Sequence, residues 1–347
     1  MINIAVVILN WNGINFLKKF LPSLVKHSSI EGVKIFIADN GSEDDSVSFV
    51  KKNYPEIDII QFDKNYGFAE GYNKALYQID AKYFVILNSD VEVTENWISP
   101  LIELMESDNS IAACMPKIKS YDNNKYFEYA GAAGGFIDKF GYPFCRGRIL
   151  SNIEEDKGQY DDTKEIFWAT GACMFIRANL YKRAGGFDGF FFAHMEEIDL
   201  CWRLKNMGYK IMYSSKSTVY HVGGGTLPNN NPHKLYLNYR NNLILLYKNL
   251  PSNKLFIILF LRLILDCFSA TIYLLNLQFR YFIAVVKAHI SFFSSLTKYR
   301  EKRLELLKFE KKFKHDEILN QSIVFNFFFK KKNIYSQLTR FIQTKTK

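Results

Sequence analysis

The 347-residue chain has little cysteine, and what it has is poorly placed for cross-linking or metal binding. Its five cysteines (Cys114, Cys145, Cys173, Cys201 and Cys267) are odd in number and scattered, with no C-x-x-C pair. Neither a disulfide framework nor a zinc site is expected. A basic n-region is also missing from the N-terminal Met-Ile-Asn-Ile-Ala-Val-Val-Ile-Leu-Asn. That segment reads as a strand rather than a signal peptide, which leads us to expect a cytoplasmic catalytic part. Most of the chain lacks an excess of either charge. Of the net +10, the segment from Arg280 to Lys347 supplies +11, leaving residues 1–279 at −1. A nucleic-acid footprint is therefore not expected. A basic tail beside an apolar segment suits an anionic membrane surface instead.

The longest apolar run is not free of charge. Leu255–Leu277 carries Asn276, and Arg262 and Asp266 on one helical face. This pattern predicts an amphipathic helix lying in a membrane interface rather than spanning it, with a second helix around Tyr281–Leu296. A helical pair docked on the rest of the protein is the competing reading. Apolar residues are plentiful at 48% and aromatics at 16%, enough for one large domain or one of about 250 residues with an appendage.

Strand and helix signals alternate from the start. Ile4–Leu9, Val33–Ala38, Ile57–Phe62, Tyr83–Leu87 and Ile111–Met115 are short, apolar and rich in β-branched residues, as buried strands should be. Between them, helical spacing is expected around Phe16–Leu24, Asp44–Asn53, Phe68–Gln78 and Trp97–Glu106. This is the order of an α/β protein with a mostly parallel sheet and helices on both faces. Residues 116–166 are Gly-rich and less regular. Beyond them, Phe167–Arg177 should extend, Glu197–Met207 should be helical, and Lys210–Ser214 and Thr218–Val222 should be short strands. After a loop beginning at Gly225, the chain from His233 looks helical to near its end.

Three polar clusters follow strands at one edge of that sheet: Asn10-Trp11-Asn12, Asp39-Asn40-Gly41-Ser42 and Asn88-Ser89-Asp90. Ligands of such sheets bind at the carboxyl ends of the strands. An acid at Asp90 could hold Mg²⁺ or Mn²⁺ bridging the phosphates of a nucleotide diphosphate, because these ions keep waters and substrate phosphates among their ligands. An Asp after a strand is also a common turn or cap. Asp39 could contact a nucleoside, or cap the next helix. Met195-Glu196-Glu197-Ile198-Asp199 places three carboxylates at a helix start, where a solvated first turn is the plain reading. Its flanks, Phe190-Phe191-Phe192 and Cys201-Trp202, suggest an apolar setting in which a carboxylate could act as a base near neutral pH. His221 precedes three glycines and would be a metal ligand beside Asp90, or simply a structural histidine.

Taken in order, V-V-I-L-N-W-N, A-D-N-G-S, N-Y-G-F-A-E-G-Y-N (Asn65–Asn73), L-N-S-D, G-A-C-M-F-I-R (Gly171–Arg177), G-G-F-D (Gly185–Asp188), E-E-I-D-L-C-W-R (Glu196–Arg203) and H-V-G-G-G resemble family 2 glycosyltransferases. The similarity covers about residues 1–245 and points to the rhamnosyltransferase-like branch that builds bacterial surface polysaccharides. The resemblance implies a GT-A fold, that of the Rossmann-like nucleotide-diphospho-sugar transferases, over residues 1–245. A helical, basic, membrane-associating region would occupy 246–347. It further implies inverting transfer from a nucleotide-diphospho-sugar to a lipid-linked saccharide at the cytoplasmic face of the plasma membrane. Asp39 would contact the nucleoside, with Asn10 beside it, and Asn65 would line the donor site. Asn88, Ser89 and Asp90 occupy the family's D-x-D position, with Asp90 the metal ligand. His221 would contact the metal or diphosphate. Glu197, or its neighbour Glu196, stands where the family carries its catalytic-base Asp, with Asp199 and Arg203 as stabilising neighbours. Two departures stand out: Asn88 replaces the first acid of D-x-D, and Glu at 197 is longer than Asp by one C–C bond, about 1.5 Å. A catalytically inactive relative is the alternative these departures would suit. A sugar nucleotidyltransferase would want a basic, Gly-rich loop after the first strand, and no Lys or Arg occurs there before Lys18.

Overall fold

The computed structural model describes residues 2–223, 231–308 and 314–338. The N-terminal run alternates as its hydrophobic pattern dictates. In order come β1 (Ile2–Asn10), α1 (Ile14–Ser28), β2 (Val33–Asp39), α2 (Ser46–Asn53), β3 (Asp58–Gln61), α3 (Gly67–Leu76), β4 (Ala81–Asn88), β5 (Val91–Val93), α4 (Ser99–Ser107) and β6 (Ile111–Ser120). Val6, Val7, Val85 and Ile86 are fully buried, so β1 and β4 form the middle of the molecule. Leu17, Leu21 and Leu24 of α1 recur at helical spacing and are buried against that layer.

The connection that follows is built of short strands: β7 (Gly135–Asp138), β8 (Pro143–Cys145), β9 (Arg148–Ile149), β10 (Asn152–Ile153) and β11 (Thr163–Ile166). The chain then re-enters the main sheet as β12 (Cys173–Arg177), followed by α5 (Ala178–Arg183), α6 (Glu196–Asn206) and β13 (Lys210–His221). The main sheet runs β11-β13-β6-β12-β4-β1-β2-β3, with β5 paired to β13. The strands from β4 to β3 are mutually parallel, whereas β12 lies antiparallel to both β4 and β6. The register aligns Asn10 with Asp39 and Leu9 with Asn88, so the three polar clusters do share one edge. The two short strands expected at 210–214 and 218–222 are a single strand, whose register against β6 shifts between Ser214 and Thr218.

Three helices follow: α7 (Pro232–Asn249), α8 (Ser252–Leu275) and α9 (Phe279–Leu307). The expected division at residue 245 falls within α7, whose Leu245 and Leu246 belong to the same core as the central sheet. The expectation of helix to near the end is corrected. Residues 314–338 return to the catalytic part, adding β14 (Ile318–Leu319) parallel to β7 and then α10 (Ile323–Phe328). Aromatic packing drives this return, since Tyr335 lies against Phe136, Phe144 and Tyr160. The second sheet is therefore β10-β9-β8-β7-β14, with its last strand drawn from the far end of the chain.

The charged pair inside α8 faces inward. Arg262 donates to Asp266 at 2.8 Å, to the Asn242 side chain at 2.6 Å and to the Phe140 carbonyl at 3.1 Å. The opposite face is bare, with Phe256, Phe260, Phe268, Ile272 and Leu275 all exposed. Among the described residues α8 is the one helix long and apolar enough to cross a membrane, yet its polar side docks on the protein.

Candidate active site

Asn10 and Asp39 end adjacent parallel strands, and their side chains meet. Asn10 Nδ2 donates to Asp39 Oδ1 and to Ser42 Oγ, each at 3.1 Å, while the Ser42 amide donates to Asp39 Oδ2 at 3.1 Å. Asp39 is therefore not the cap of α2. That helix starts seven residues later, behind a turn in which Asp44 accepts from the amides of Ser46 and Ile14. Each Asp39 oxygen accepts one of the bonds from Asn10 and Ser42, and a carboxylate oxygen can accept more than one.

Asn65 shapes the entrance to α3. Its Oδ1 accepts from Asn40 Nδ2 at 2.9 Å and from the Gly67 amide at 2.8 Å. Gly67 has φ +78, and a Cβ there would come within 2.4 Å of the Phe192 ring. Only glycine lets the two segments approach. Asn73, the last residue of the same motif, exchanges hydrogen bonds with the backbone of Phe187 at 2.8 and 2.9 Å. The N-Y-G-F-A-E-G-Y-N and G-G-F-D motifs are thus one packed unit.

The β4 edge leads to the metal candidates. His221 Nε2 donates to Asp90 Oδ1 at 3.1 Å, and Asn88 Nδ2 lies 3.4 Å from the same nitrogen. Ser89, directly after β4, lies against the turn that follows β1, where a Cβ on Gly13 would be 3.7 Å from its hydroxyl. Glu128, invisible to sequence reasoning in the Gly-rich stretch, completes the cluster: its Oε2 lies 3.3 Å from His221 Nδ1. Gly223 keeps this carboxylate in place, because a Cβ there would meet Glu128 Oε1 at 2.6 Å. Burial alone would lower the pKa of His221, but the charges of Glu128 and Asp90 overrule it and push it up to about 10. Burial would raise Asp90, and His221 holds it below its ordinary value instead. Gly224 and Gly225 of H-V-G-G-G lie outside the described residues.

No group of three or more His, Cys, Asp or Glu among the described residues could hold a metal ion. Asp90 and His221 nevertheless fit Mg²⁺ or Mn²⁺ as a two-ligand set, the remaining positions being left to diphosphate oxygens and water. An ion there would take the place of the proton shared by Asp90 and His221, and Glu128 would orient the imidazole through its other nitrogen.

Glu196 and Glu197 open α6, and the plain reading of a solvated first turn is overturned. Glu196 is buried, and one carboxyl oxygen of each residue is buried without a hydrogen-bond partner. Burial pushes both carboxyls upward, and the Glu197 charge adds to the effect on Glu196. Asp199, one turn on, is fully buried but neutralised by Arg203 and Lys248, each 2.9 Å away. No hydrogen bond or ion pair among the described residues joins the Glu pair to Asp90 or His221. One acidic motif thus holds an ion-paired Asp199 and, two residues earlier, a Glu197 with one unpartnered carboxyl oxygen and a raised pKa.

The crossover order of the sheet, with polar clusters at the carboxyl ends of β1, β2 and β4, is that of the GT-A fold. The chain belongs to glycosyl transferase family 2, whose model matches residues 5–185. It is 24% identical over 220 residues to the N-acetylglucosaminyl-diphospho-decaprenol L-rhamnosyltransferase of Mycobacterium tuberculosis, covering 59% of this chain and 71% of that one. Rhamnosyltransferase WbbL of Escherichia coli is 24% identical over 216 residues, covering 60% and 80%. Among solved structures, GalNAc-T7 with UDP, GalNAc and Mn²⁺ superposes with a TM-score of 0.56 at 15% identity, over 72% of this chain and 48% of that chain. That likeness establishes the fold.

Proposed function

We propose that this glycosyltransferase moves a sugar, with rhamnose the leading candidate, from a nucleotide-diphosphate donor to a lipid-linked saccharide acceptor, with inversion. The observation that carries the reading is the buried, unpartnered Oε2 of Glu197 in a chain that also brings Asp90 and His221 together at the β4 edge. Glu197 accepts the proton of the acceptor hydroxyl as that oxygen bonds to the anomeric carbon. The bond to the diphosphate oxygen breaks on the opposite side, and its electron pair leaves with the nucleoside diphosphate. Asp39 and Asn10 hold the nucleoside, Asn65 lines the donor pocket, and Asn88 and Ser89 flank Asp90. A bound Mg²⁺ or Mn²⁺ would stabilise the charge on the departing diphosphate. The glycosyltransferases named above, one solved with UDP and Mn²⁺ and two named as rhamnosyltransferases, support donor, ion and acceptor classes.

The bare face of α8 and the basic residues around α9 and α10 would seat the enzyme on the anionic cytoplasmic leaflet of the plasma membrane, beside its acceptor. The test is incubation with a panel of nucleotide sugars, with and without Mn²⁺, reading released nucleoside diphosphate. Normal turnover by both Asp90→Ala and Glu197→Gln would defeat the mechanism. No turnover of any donor by the unmodified enzyme with acceptor lipid present would favour an inactive binding protein.

A further inference from the structure

The segment that delivers Glu196 and Glu197 is conformationally expensive. Phe192, His194 and Met195 have φ of +63, +70 and +74, although none is glycine. Each left-handed residue costs about 1–2 kcal/mol, so such a run persists only when its surroundings over-determine it. The surroundings are specific here, because five consecutive carbonyls are captured. Phe190 and Phe191 accept from Arg240 Nη2 at 2.9 and 3.2 Å. Phe192 accepts from the amides of Phe68 and Ala69 at 2.7 and 3.1 Å, at the start of α3. The side-chain amide of Asn241 gathers Phe191, Ala193 and His194 at 3.0, 2.9 and 2.8 Å.

Asn241 is fully buried on α7, about fifty residues from the loop it grips. Its two N–H groups serve three carbonyls, which no other neutral side chain of that size could do. Those carbonyls lie immediately before Met195, the residue in left-handed conformation from which α6 departs. Without the grip, the segment's relief is rotation of His194 and Met195 out of the left-handed region, and that rotation re-aims the first turn of α6.

We propose that Asn241 is a positioning residue for sugar transfer, holding the strained 192–195 loop so that the Glu196–Glu197 carboxylates open onto the reacting sugar. The proposal rests on the reading of Glu197 as base. It implies that the base is located by the C-terminal helices as much as by the sheet.

The test compares Asn241→Ala with Leu246→Ala, a core truncation on the same helix beside Gly141 that leaves the hydrogen bonds to the loop in place. Both are assayed well below their melting temperatures. Asn241→Ala should lower kcat by about 100-fold, the scale of a 1 Å misplacement, with the donor KM within about threefold. Amide hydrogen exchange should quicken at 192–195 and not across the sheet. Asn241→Gln, which keeps the carboxamide, should recover part of kcat. A kcat loss no greater than that of Leu246→Ala, or a loss confined to KM, would overturn the proposal. If Asn241→Ala does not accumulate folded, Asn241→Ser decides by the same kcat comparison. An active Glu197→Gln would mean that the base is misassigned, whereas a dead Glu197→Gln beside an unimpaired Asn241→Ala sinks the positioning role alone.

Discussion

Lys248 of α7 donates to Asp199 of α6 at 2.9 Å, with both side chains buried. The same ammonium reaches Asp188 at 2.7 Å, and Lys302 of α9 reaches the other Asp188 oxygen at 2.8 Å. Asn249 adds a hydrogen bond to Asp199 Oδ1 at 2.9 Å. The G-G-F-D turn, the helix that begins with the Glu pair and two C-terminal helices therefore share one buried charge network. Breaking such a network strands its remaining charges in a medium that solvates them poorly.

Lys248→Met should accordingly destabilise the protein by about 3–5 kcal/mol in denaturant titrations. Its pH signature follows from the two carboxylates. Burial would raise Asp188 and Asp199, but Lys248 with Lys302, and Lys248 with Arg203, hold them below their ordinary values. A depressed carboxylate stabilises the fold above its ordinary pKa, and that stability is lost as pH falls through the folded value. The variant should therefore differ most from the parent at neutral pH and converge on it in acid.

Glu197→Gln should have opposite effects on activity and stability. Burial raises the Glu197 pKa, so the carboxyl must be deprotonated against its environment to act as a base. Activity of the parent should fall with decreasing pH at values well above the ordinary Glu pKa of about 4.3. The stability sign is reversed relative to Asp199: a raised carboxyl favours the fold below its ordinary pKa and loses that advantage as pH rises through the folded value. The glutamine variant should be inactive, yet its melting temperature should exceed the parent's increasingly from pH 5 to pH 8. A melting difference that does not vary with pH would mean that Glu197 is solvated.

Glu128 supplies a third prediction. Its carboxylate faces the ring nitrogen of His221 opposite to Asp90, the arrangement by which an outer carboxylate orients a metal-binding imidazole. In titrations of Mn²⁺ with UDP present, followed by the electron paramagnetic resonance of free Mn²⁺, Asp90→Ala should abolish specific binding. Glu128→Gln should weaken binding about 10–100-fold. Unchanged affinity in Glu128→Gln would reduce Glu128 to a wall of the cleft.

Much of this site was legible in the sequence because a buried parallel strand advertises itself. Val6, Val7, Val85 and Ile86 leave no polar side to confuse the pattern, and the polar residue ending each run falls at the edge where ligands bind. Glu128 was not legible, because it lies in the irregular connection between β6 and β7, where no periodic pattern marks which side chain turns toward His221. Asn241 was hidden for another reason. It lies in a regular helix among leucines, and its meaning depends wholly on carbonyls about fifty residues earlier. The return of 314–338 was missed because its anchor is a single aromatic, Tyr335, inserted among Phe136, Phe144 and Tyr160.

The two faces of α8 make membrane seating testable without dismantling the fold. Arg262 and Asp266 tie its inner face to the turn between β7 and β8 through the Phe140 carbonyl. The same turn supports α10, because Asp138 accepts from the Ile323 amide at 2.9 Å. Besides the bare aromatics of α8, α10 and the residues after it expose Phe325, Phe328 and Phe329 close in sequence to Lys330, Lys331 and Lys332. Apolar insertion and headgroup attraction contribute separately, at about 1 kcal/mol for each Lys near an anionic surface. Phe256→Ser with Phe260→Ser should reduce sedimentation with vesicles of any headgroup charge. Replacing Lys330, Lys331 and Lys332 by Gln should reduce it only with anionic vesicles, and the loss should shrink as salt rises. Since Phe256 is 81% exposed, neither set should lower the melting temperature by more than a few degrees. Equal binding of parent and both variants to anionic vesicles would show that the face of α8 and α10 is turned toward something other than lipid.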